Sequence, residues 1–321
     1  MSTIQILGTG SALPEQIRTN GDIEKLVDTS DAWIQERTGI KDRRIADGAA
    51  GESVASLAAK AAARALENAG KHPEEVDLIL VATCSPEYLL PCCACQVQAE
   101  IGAKKAVAFD LNAACSGFLF GLQTAYCYLQ SGIYKNALII GSEVLSKLVD
   151  WEDRGTCILF GDGAGAVYVE TVEENGRVWS MVQGSNGAKG MILSCKERDL
   201  TTPTPDLFIR MNGQEVYKFA TRQVPLCIEE ALQQANLTVE NIDLFLLHQA
   251  NVRILESIAH RLKVSMEKIP KNLETRGNMS SAAIPVLLDE CNRAGKLHRG
   301  DTIVLSGFGA GLTYGACIMT W

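Results

Sequence analysis

The segment around Cys115 presents a thiol in a setting where it could act as a nucleophile. Cys115 lies in the small-residue stretch 112–118 (NAACSGF), after the apolar run 106–111 and at the start of the helical pattern 117–130. A helix N-terminus presents free N–H groups and positive potential, and these lower a thiol pKa from about 8.5 toward neutrality. The alternative is a small core cysteine without a chemical role, and this segment alone leaves both open.

A histidine and an asparagine occupy two later turns. His248 directly follows the apolar run 243–247, and Asn278 lies in the stretch 276–285 (RGNMSSAAIP). Ligands gather at the carboxyl ends of strands in open α/β sheets, so His248 is a candidate for catalysis as well as for a structural hydrogen bond. Taken singly, Asn278 is most simply a turn residue or a helix cap.

Two glycine-rich turns bring the backbone close to its surroundings, at 160–165 (FGDGAG) and at 307–311 (GFGAG). The first is not a dinucleotide fingerprint, because its third glycine is misplaced and a strand rather than a helix follows. The second could direct backbone N–H groups at a reacting carbonyl, where one such donor typically contributes about 100- to 1000-fold in rate. A tight turn between two strands is the alternative, and both can hold.

Cys92, Cys93 and Cys95 form a cluster that at first suggests a metal site. A zinc site needs a second pair of cysteines or histidines at suitable spacing, and none stands near these three in the sequence. We therefore predict that these small residues open a helix and hold no metal.

The composition of the 321-residue chain is that of an ordinary folded protein, with 47% hydrophobic and 21% charged residues. The formal net charge is −8 and no run of Lys or Arg stands out, which argues against nucleic acid as a partner. Eleven cysteines, an odd number scattered through a long chain, favour a reducing compartment. No apolar stretch reaches the roughly 20 residues of a membrane helix, and no secretory signal is visible. We therefore expect a cytoplasmic protein without a membrane partner.

Strand and helix patterns alternate along the chain, which predicts an α/β protein with largely parallel sheets. Short apolar runs rich in β-branched residues predict strands at 77–83, 106–111, 136–142, 166–170, 243–247, 302–306 and 316–321. Helical spacing predicts helices at 52–68, 94–101, 117–130, 215–234, 252–262 and 281–293. A short extended piece is predicted at 269–273.

The order of these elements repeats, which predicts two similar halves, 1–172 and 173–321. Each half ends with a glycine-rich turn and a strand. Cys115 and Asn278 occupy matching places in the two halves, and His248 follows a strand directly. We therefore expect the three side chains to converge where the halves meet.

Together these segments resemble the β-ketoacyl-acyl-carrier-protein synthase III family of the thiolase superfamily. The resemblance implies an α/β, thiolase-like fold with two similar halves in a five-layered αβαβα arrangement, usually assembled as a homodimer. It also implies a catalytic triad of Cys115, His248 and Asn278. The motifs, whose joint order and spacing are specific, are 8–11 (GTGS), 31–34 (DAWI), 37–40 (RTGI), the Cys115 segment, 160–166, 248–251 (HQAN), 277–278 and 307–311.

The resemblance further implies the residues that bind substrates. A carrier protein would contact Arg253, whose charge suits an acidic partner despite the net charge of −8. Leu90 would end the acyl pocket and leave room for a branched or slightly longer primer than acetyl. Coenzyme A would contact Thr29, Trp33, Arg37, Arg154, Gly213, Tyr217 and Asn251.

Two positions depart from the family pattern. Met279 stands where threonine is more frequent, and Ala310 stands where a third glycine is common. Alanine still supplies its N–H, so the backbone N–H groups of Cys115 and Ala310 are expected to form the oxyanion hole.

The implied reaction is acyl transfer followed by decarboxylative condensation. An acyl-coenzyme A primer acylates Cys115, and malonyl-acyl carrier protein then loses carbon dioxide and attacks the acyl-cysteine, with no metal or redox cofactor. A specialised-metabolite ketosynthase or acyltransferase on the same scaffold is the main alternative, and the motifs barely separate the two. A non-catalytic subunit that binds carrier protein would need no such triad.

Overall fold

The computed structural model describes residues 2–196 and 206–321. Within these residues the chain forms two large β-sheets and two two-stranded ones. No helix in them is both long and apolar enough to cross a bilayer. The strands are β1 (Ser2–Ala12), β2 (Ile17–Thr19), β3 (Asp42–Arg44), β4 (Leu78–Ala82), β5 (Val107–Leu111), β6 (Asn136–Glu143), β7 (Gly163–Glu173), β8 (Trp179–Gly190), β9 (Leu193–Cys195), β10 (Ile209–Met211), β11 (Leu244–Leu247), β12 (Thr302–Gly309) and β13 (Gly311–Thr320). The helices are α1 (Asn20–Ile23), α2 (Asp31–Thr38), α3 (Val54–Ala69), α4 (Cys93–Ile101), α5 (Gly117–Gln130), α6 (Arg154–Cys157), α7 (Gly213–Gln234), α8 (Val252–Leu262), α9 (Leu273–Arg276) and α10 (Ala283–Arg293).

The first large sheet has five strands in the order β1-β7-β6-β4-β5. β4 pairs in parallel with β5 and β6, whereas β7 runs antiparallel to β6 and β1. Every residue of β4 and β6 is buried, as expected for strands covered on both faces. The carboxyl ends of β4, β5 and β6 lie at one edge of the sheet, where Thr83, Asn112 and Glu143 are found.

The second large sheet has four strands in the order β11-β12-β13-β8. β11 and β12 are parallel, and the other pairs are antiparallel. His248 follows β11, and Ala310 is the residue that joins β12 to β13. The tight strand–strand turn predicted at 307–311 is therefore confirmed.

Helices cover both sheets, and two of them lie between the sheets. α3 and α4 pack on the outer face of the first sheet through residues such as Leu57 and Val97. α5 and α10 share one apolar cluster with strands of both sheets, to which they contribute Phe118 and Leu287. α7 and α8 cover the outer face of the second sheet. The five-layered αβαβα arrangement is therefore confirmed.

The extended piece predicted at 269–273 is wrong as a strand, which explains why the second sheet has four strands and the first has five. Pro270 has no N–H to donate to a neighbouring strand. Asn272 donates its backbone N–H to Oε1 of Gln249 at 3.2 Å and its side-chain amide to Glu290 at 2.8 Å. A side chain, rather than a neighbouring strand, thus accepts the backbone N–H of Asn272.

The seven predicted strands and six predicted helices form, with ends shifted by a few residues. β1 was not predicted, because glycines interrupt its apolar pattern. A Cβ on Gly8 would lie 2.2 Å from O of Ala65, and one on Gly10 would lie 2.3 Å from O of Ala61. These glycines therefore let α3 lie directly on the strand.

The division into halves at 172 and 173 stays a prediction. β7 ends at Glu173 in the first sheet, and β8 begins at Trp179 in the second. The N-terminal segment also contacts the later part of the chain, since Lys41 donates its backbone N–H to O of Glu274 at 2.8 Å.

Candidate active site

Cys115 lies in a tight turn between β5 and α5. Oδ1 of Asn112 accepts the backbone N–H of Ala114 at 3.1 Å, and Ala114 adopts a left-handed φ of 46°. One 3₁₀ turn (Ala114–Ser116) then leads into α5. A left-handed alanine is strained, and such strain is concentrated at functional sites. The turn holds the thiol at the N-terminus of α5, where the sequence predicted it.

The second half repeats this turn around Asn278. Oδ1 of Asn278 accepts the backbone N–H of Ser280 at 2.9 Å, and Ser280 has a φ of 47°. A 3₁₀ turn again precedes a buried helix, α10. Asn278 therefore matches Asn112, and Ser281 takes the place of Cys115, so the prediction that Cys115 and Asn278 occupy matching places is wrong. Because Oδ1 is engaged, the Nδ2 amino group is the part of the Asn278 carboxamide left to donate to a ligand.

Backbone pairing fixes Asn278 to the first half of the chain. Its N–H donates to O of Leu159 at 2.9 Å, and its O accepts the N–H of Gly161 at 3.0 Å. A Cβ on Gly161 would lie 2.2 Å from O of Arg276, so this approach requires glycine. The position of the Asn278 amide thus depends on contacts between segments far apart in sequence.

Arg43 supports the same pairing and was not singled out from the sequence. Its Cβ lies 3.2 Å from the positions that a Cβ would occupy on Gly161 and on Gly277. Its buried guanidinium donates to O of Ile158 at 2.8 Å and to Oδ1 of Asn20 at 2.9 Å. Burial lowers the pKa of Arg43 to about 10, so the side chain stays charged at neutral pH.

His248 continues β11 alongside β12. Its backbone N–H donates to O of Ser306 at 2.8 Å, and its ring meets Phe308 edge-on with centroids 5.6 Å apart. The residue is 3% exposed, and among the described residues Nδ1 has no hydrogen-bond partner. Burial lowers the pKa of His248 to about 3. The imidazole is therefore neutral at physiological pH, with one nitrogen able to donate.

This buried neutral imidazole should make the stability of the fold depend on pH. The pKa of His248 is about 3 in the fold and about 6.5 in the unfolded chain, so below pH 6.5 only the unfolded chain binds the proton. The stability that depends on a neutral His248 is therefore fully present above pH 6.5, and it is lost as the pH falls toward 3. From pH 7.5 to 5.5, we expect the wild type to lose about 1.4 kcal/mol more unfolding free energy than His248→Asn in urea titrations. Equal losses in the two proteins would contradict this origin.

The turn after β12 lies against the backbone of Cys115. A Cβ on Gly309 would lie 2.6 Å from N of Cys115, so only glycine permits this approach. The next residue, Ala310, lines the same cavity as Cys115. This arrangement supports an oxyanion hole built from the N–H groups of Cys115 and Ala310, which stays a prediction.

One cavity of about 550 Å³ brings the predicted catalytic residues together. Cys115, His248 and Asn278 all line it, although they come from three separate turns in two halves of the chain. Three of the seven residues predicted to bind coenzyme A line it as well. These are Gly213, Tyr217 and Asn251.

Trp33, Arg37 and Arg154 form a cluster beside this cavity. The guanidinium carbons of Arg154 and Arg37 lie 5.0 and 5.7 Å from the centroid of the Trp33 ring. Asn251 joins the cluster to the cavity, since its Nδ2 donates to O of Arg37 at 3.1 Å. Thr29 precedes α2 and has a buried Oγ1 without a partner among the described residues. Asn251 thus connects the cavity to the cluster of Trp33, Arg37 and Arg154.

Arg253 lies at the surface next to this cluster. It is in the first turn of α8 and pairs with Glu36 at 3.3 Å, with side chains that are 39% and 69% exposed. An exposed pair of this kind contributes little to stability, so Arg253 is available to a charged partner.

Leu90 lies outside the cavity of the single chain, and its place at the end of the acyl pocket stays a prediction. Its side chain is 86% exposed and does not line the cavity that contains Cys115. Within the single chain, apolar walls near the thiol come instead from Leu145, Leu159 and Phe308. Leu90 of the same chain therefore does not line this cavity.

Burial, rather than the helix N-terminus, dominates the pKa of the Cys115 thiol. Burial raises this pKa to about 12, nearby Glu143 adds to the rise, and the Ser280 hydroxyl and the Cys115 N–H oppose it. The expectation that the helix brings the thiol pKa toward neutrality is wrong for this structure. The thiol carries its proton at neutral pH, so acyl transfer must include loss of that proton.

Behind Cys115 lies a buried polar cluster that sequence analysis missed. The Glu143 carboxyl group accepts the N–H of Cys84 at 3.1 Å and contacts the hydroxyls of Ser85 and Ser281. Burial raises the pKa of Glu143. Two features of the sequence could have indicated this cluster. The Glu143 carboxylate stands at the end of one apolar run, and the polar triplet 83–85 stands at the end of another.

Known proteins share both the sequence and the fold of this chain. Residues 109–187 match the profile of 3-oxoacyl-acyl-carrier-protein (ACP) synthase III, and residues 232–321 match the profile of its C-terminal part. A β-ketoacyl-acyl-carrier-protein synthase III of Clostridium acetobutylicum is 48% identical over 327 residues, covering 100% of this chain and 99% of its own length. The enzyme so named from Natranaerobius thermophilus is 47% identical over 331 residues, covering 100% of both chains.

Solved structures agree with these matches. The 3-oxoacyl-acyl-carrier-protein synthase III of Aquifex aeolicus VF5 superposes with a TM-score of 0.94 at 43% identity, over 99% of this chain and 100% of that one. The priming β-ketosynthase of the R1128 polyketide pathway superposes with a TM-score of 0.93 at 33% identity, over 99% of this chain and 96% of that one. Identity along the whole length, on a shared fold, shows that this chain belongs to the β-ketoacyl-acyl-carrier-protein synthase III family.

Proposed function

We propose that Cys115, His248 and Asn278 divide between them the two half-reactions of this condensing enzyme. The protein is a β-ketoacyl-acyl-carrier-protein synthase III, an acyltransferase of fatty acid biosynthesis. The observation that carries the proposed roles is that a thiol, a neutral imidazole and the amide group of Asn278 line one cavity beside a glycine-rich turn.

In the first half-reaction, Sγ of Cys115 attacks the thioester carbonyl of an acyl-coenzyme A primer. The negative charge that develops on the carbonyl oxygen accepts hydrogen bonds from the N–H groups of Cys115 and Ala310. The carbon–sulfur bond to coenzyme A then breaks, and the leaving thiolate takes up the proton that Cys115 has lost. An acyl-cysteine remains.

In the second half-reaction, malonyl-acyl carrier protein enters the emptied cavity. The bond to its carboxylate breaks, carbon dioxide departs, and the electron pair forms an enolate. A neutral His248 and Nδ2 of Asn278 donate hydrogen bonds to the enolate oxygen. The enolate carbon attacks the acyl-cysteine, the bond between the acyl carbon and Sγ breaks, and β-ketoacyl-carrier protein is released. The departing Cys115 thiolate takes up a proton from solvent, which restores the thiol. No step of this scheme requires a metal or a redox cofactor.

The two substrates are proposed to contact different surface residues. Coenzyme A carries an adenine ring, which can stack on Trp33 beside Arg154. A carrier protein presents its acyl group on a similar arm but has no adenine at that end, and its acidic surface would meet Arg253. Substitutions at Trp33 and Arg253 should therefore affect different substrates.

Trp33→Ala should raise the KM for acyl-coenzyme A about tenfold, because it removes a stacking surface, and leave the KM for malonyl-carrier protein unchanged. Arg253→Glu should do the reverse, because it turns an attraction into a repulsion. Steady-state kinetics with each substrate varied in turn will measure both. Lys60→Glu, a charge reversal on the distant helix α3, is the neutral control. A similar rise in both KM values for either variant would argue against separate contacts.

The second substrate separates fatty acid synthesis from the specialised alternative. The two synthase III enzymes of Clostridium acetobutylicum and Natranaerobius thermophilus are 48% and 47% identical to this chain, whereas the polyketide ketosynthase is 33% identical. We therefore expect rapid formation of β-ketoacyl-carrier protein from malonyl-carrier protein, observed as a carrier whose mass has lost carbon dioxide and gained the acyl group of the primer. Faster product formation from malonyl-coenzyme A would favour the specialised enzyme instead.

A homodimer and a cytoplasmic location are proposed as well. Tyr88, Leu89 and Leu90 are 59%, 75% and 86% exposed, an apolar surface that a second copy of the chain could cover. A molar mass of one chain in light scattering would contradict the dimer.

The apolar cavity walls suit a short linear or branched primer, and intact mass after incubation with a panel of acyl-coenzyme A thioesters will identify which primers react.

A further inference from the structure

Thr313 and Ser116 form a pair of hydroxyl groups between the two turns that carry the proposed oxyanion donors. Thr313 lies near the start of β13, and Ser116 ends the 3₁₀ turn that contains Cys115. Their side-chain oxygens are 2.7 Å apart. We propose that Thr313 is a positioning residue that holds the N–H of Ala310 in the oxyanion hole. This role rests on the proposed function, in which the N–H groups of Cys115 and Ala310 form that hole.

The Thr313 hydroxyl reaches a carbonyl group of each turn. Oγ1 of Thr313 lies 3.0 Å from O of Ala310 and 3.0 Å from O of Ala113, the residue before the 3₁₀ turn. The Ser116 hydroxyl lies 2.9 Å from O of Ala113 as well. One side chain of β13 therefore links the turn after β12 to the turn that carries the nucleophile.

The direction of these hydrogen bonds follows from the number of protons available. Each hydroxyl has one proton, so in the 2.7 Å contact between Ser116 and Thr313 one of the two must donate to the other. O of Ala113 already accepts the backbone N–H of Ser116 at 3.2 Å. Both carbonyl oxygens therefore receive a proton from this group when Ser116 donates to Thr313 and Thr313 donates to Ala310.

Ala310 needs such a contact because glycines flank it. Gly309 and Gly311 have wide backbone freedom, so they do not by themselves fix the direction of the peptide groups around Ala310. On one side, a Cβ on Gly309 would lie 2.6 Å from N of Cys115, so this backbone lies directly against the nucleophile. On the other side, the Thr313 hydroxyl holds O of Ala310. Because peptide groups are planar, the two contacts together orient the N–H between them.

The orientation of this N–H matters because it must point at the oxygen on which negative charge develops. Loss of an oxyanion donor typically lowers the rate about 100- to 1000-fold. A displaced donor keeps part of its effect, so loss of the Thr313 hydroxyl should lower the acylation rate roughly tenfold. The KM for acyl-coenzyme A should not change, because Thr313 does not line the cavity.

The test compares Thr313→Val, which keeps the shape of the side chain without its hydroxyl, with Thr313→Ser, which keeps the hydroxyl. Mass spectrometry of rapidly quenched samples gives the acylation rate of Cys115 over a range of acetyl-coenzyme A concentrations. We expect Thr313→Val to show a maximal rate about tenfold below wild type with an unchanged half-saturating concentration, and Thr313→Ser to restore most of the rate. Thr124→Val is the matched control and should acylate like the wild type, since it removes a partly buried hydroxyl that bonds O of Phe120 within α5.

Alkylation of Cys115 by iodoacetamide separates donor positioning from a general disturbance of the thiol. This reaction develops no negative charge on a carbonyl oxygen, so it gains nothing from the oxyanion hole. Thr313→Val should therefore alkylate at the wild-type rate, measured on the peptide that contains Cys115. Equal slowing of alkylation and acylation would show that Thr313 only holds the turn of the nucleophile, which overturns the proposal. A Thr313→Ser variant as slow as Thr313→Val would overturn it too.

Ala310→Pro tests the oxyanion hole itself, because proline has no N–H. If the hole acts as proposed, this variant should acylate about 100- to 1000-fold more slowly and alkylate normally. A wild-type acylation rate in Ala310→Pro would contradict the hole, and the role of Thr313 with it. A slow Ala310→Pro together with a wild-type rate in Thr313→Val would leave the hole in place and overturn the role of Thr313 alone.

Discussion

Cys115→Ala should abolish formation of the acyl-enzyme. The substitution removes the sulfur that bonds to the primer and leaves the shape of the turn intact, because alanine fits the backbone that holds Cys115. Loss of a nucleophile typically lowers the rate by roughly 10⁴-fold or more. Intact mass spectrometry after mixing with acetyl-coenzyme A will show one added acetyl group on the wild type and none on the variant. Overall condensation should fall with it.

Cys84→Ala is the matched control for this experiment. Cys84 is a second thiol that lines the same cavity as Cys115. The two thiols lie close enough to influence each other electrostatically. Burial and nearby Glu143 raise the pKa of Cys84 well above its usual value, so it is a poor nucleophile. The control should still gain one acyl group at Cys115. If Cys115→Ala gained the acyl mass at the wild-type rate, or if Cys84→Ala lost it, the nucleophile would be wrongly assigned.

Two of the three predicted catalytic side chains could be placed from the sequence, because each of the two follows an element that the sequence marks clearly. Cys115 and His248 follow apolar runs that form β5 and β11, and ligands gather at the ends of such strands. Asn278 follows no strand, and its place was inferred from the repeat and the family resemblance. The structure shows the repeat at atomic detail, with Asn112 and Asn278 capping identical turns.

The sequence could not predict the properties that depend on burial and on contacts between residues far apart in the chain. The pKa of Cys115 follows from burial among segments of both halves, and local sequence pointed the other way. Arg43 supports Asn278 only because Gly161 and Gly277 lie against its side chain. Leu90 is exposed in one chain, so no pattern in that chain can define what it contacts.

Asn278→Ala should separate the two half-reactions. The variant removes the Nδ2 donor that is proposed to stabilise the enolate, and loss of one such donor typically costs about 100- to 1000-fold. Acylation of Cys115 should stay near the wild-type rate, because its oxyanion donors are backbone N–H groups. Single-turnover measurements will follow acyl-enzyme formation by mass and then its consumption by malonyl-carrier protein.

Asn278→Asp is the control that distinguishes catalysis from turn structure. Its carboxylate can still accept the N–H of Ser280, which alanine cannot, yet it offers no donor to the enolate oxygen. If the donor matters, both variants acylate normally and condense slowly. If Asn278 mainly holds the turn, aspartate rescues condensation and alanine does not. An equal loss of both half-reactions in the two variants would contradict the division of labour, because the acylation step has no use for the Asn278 amide.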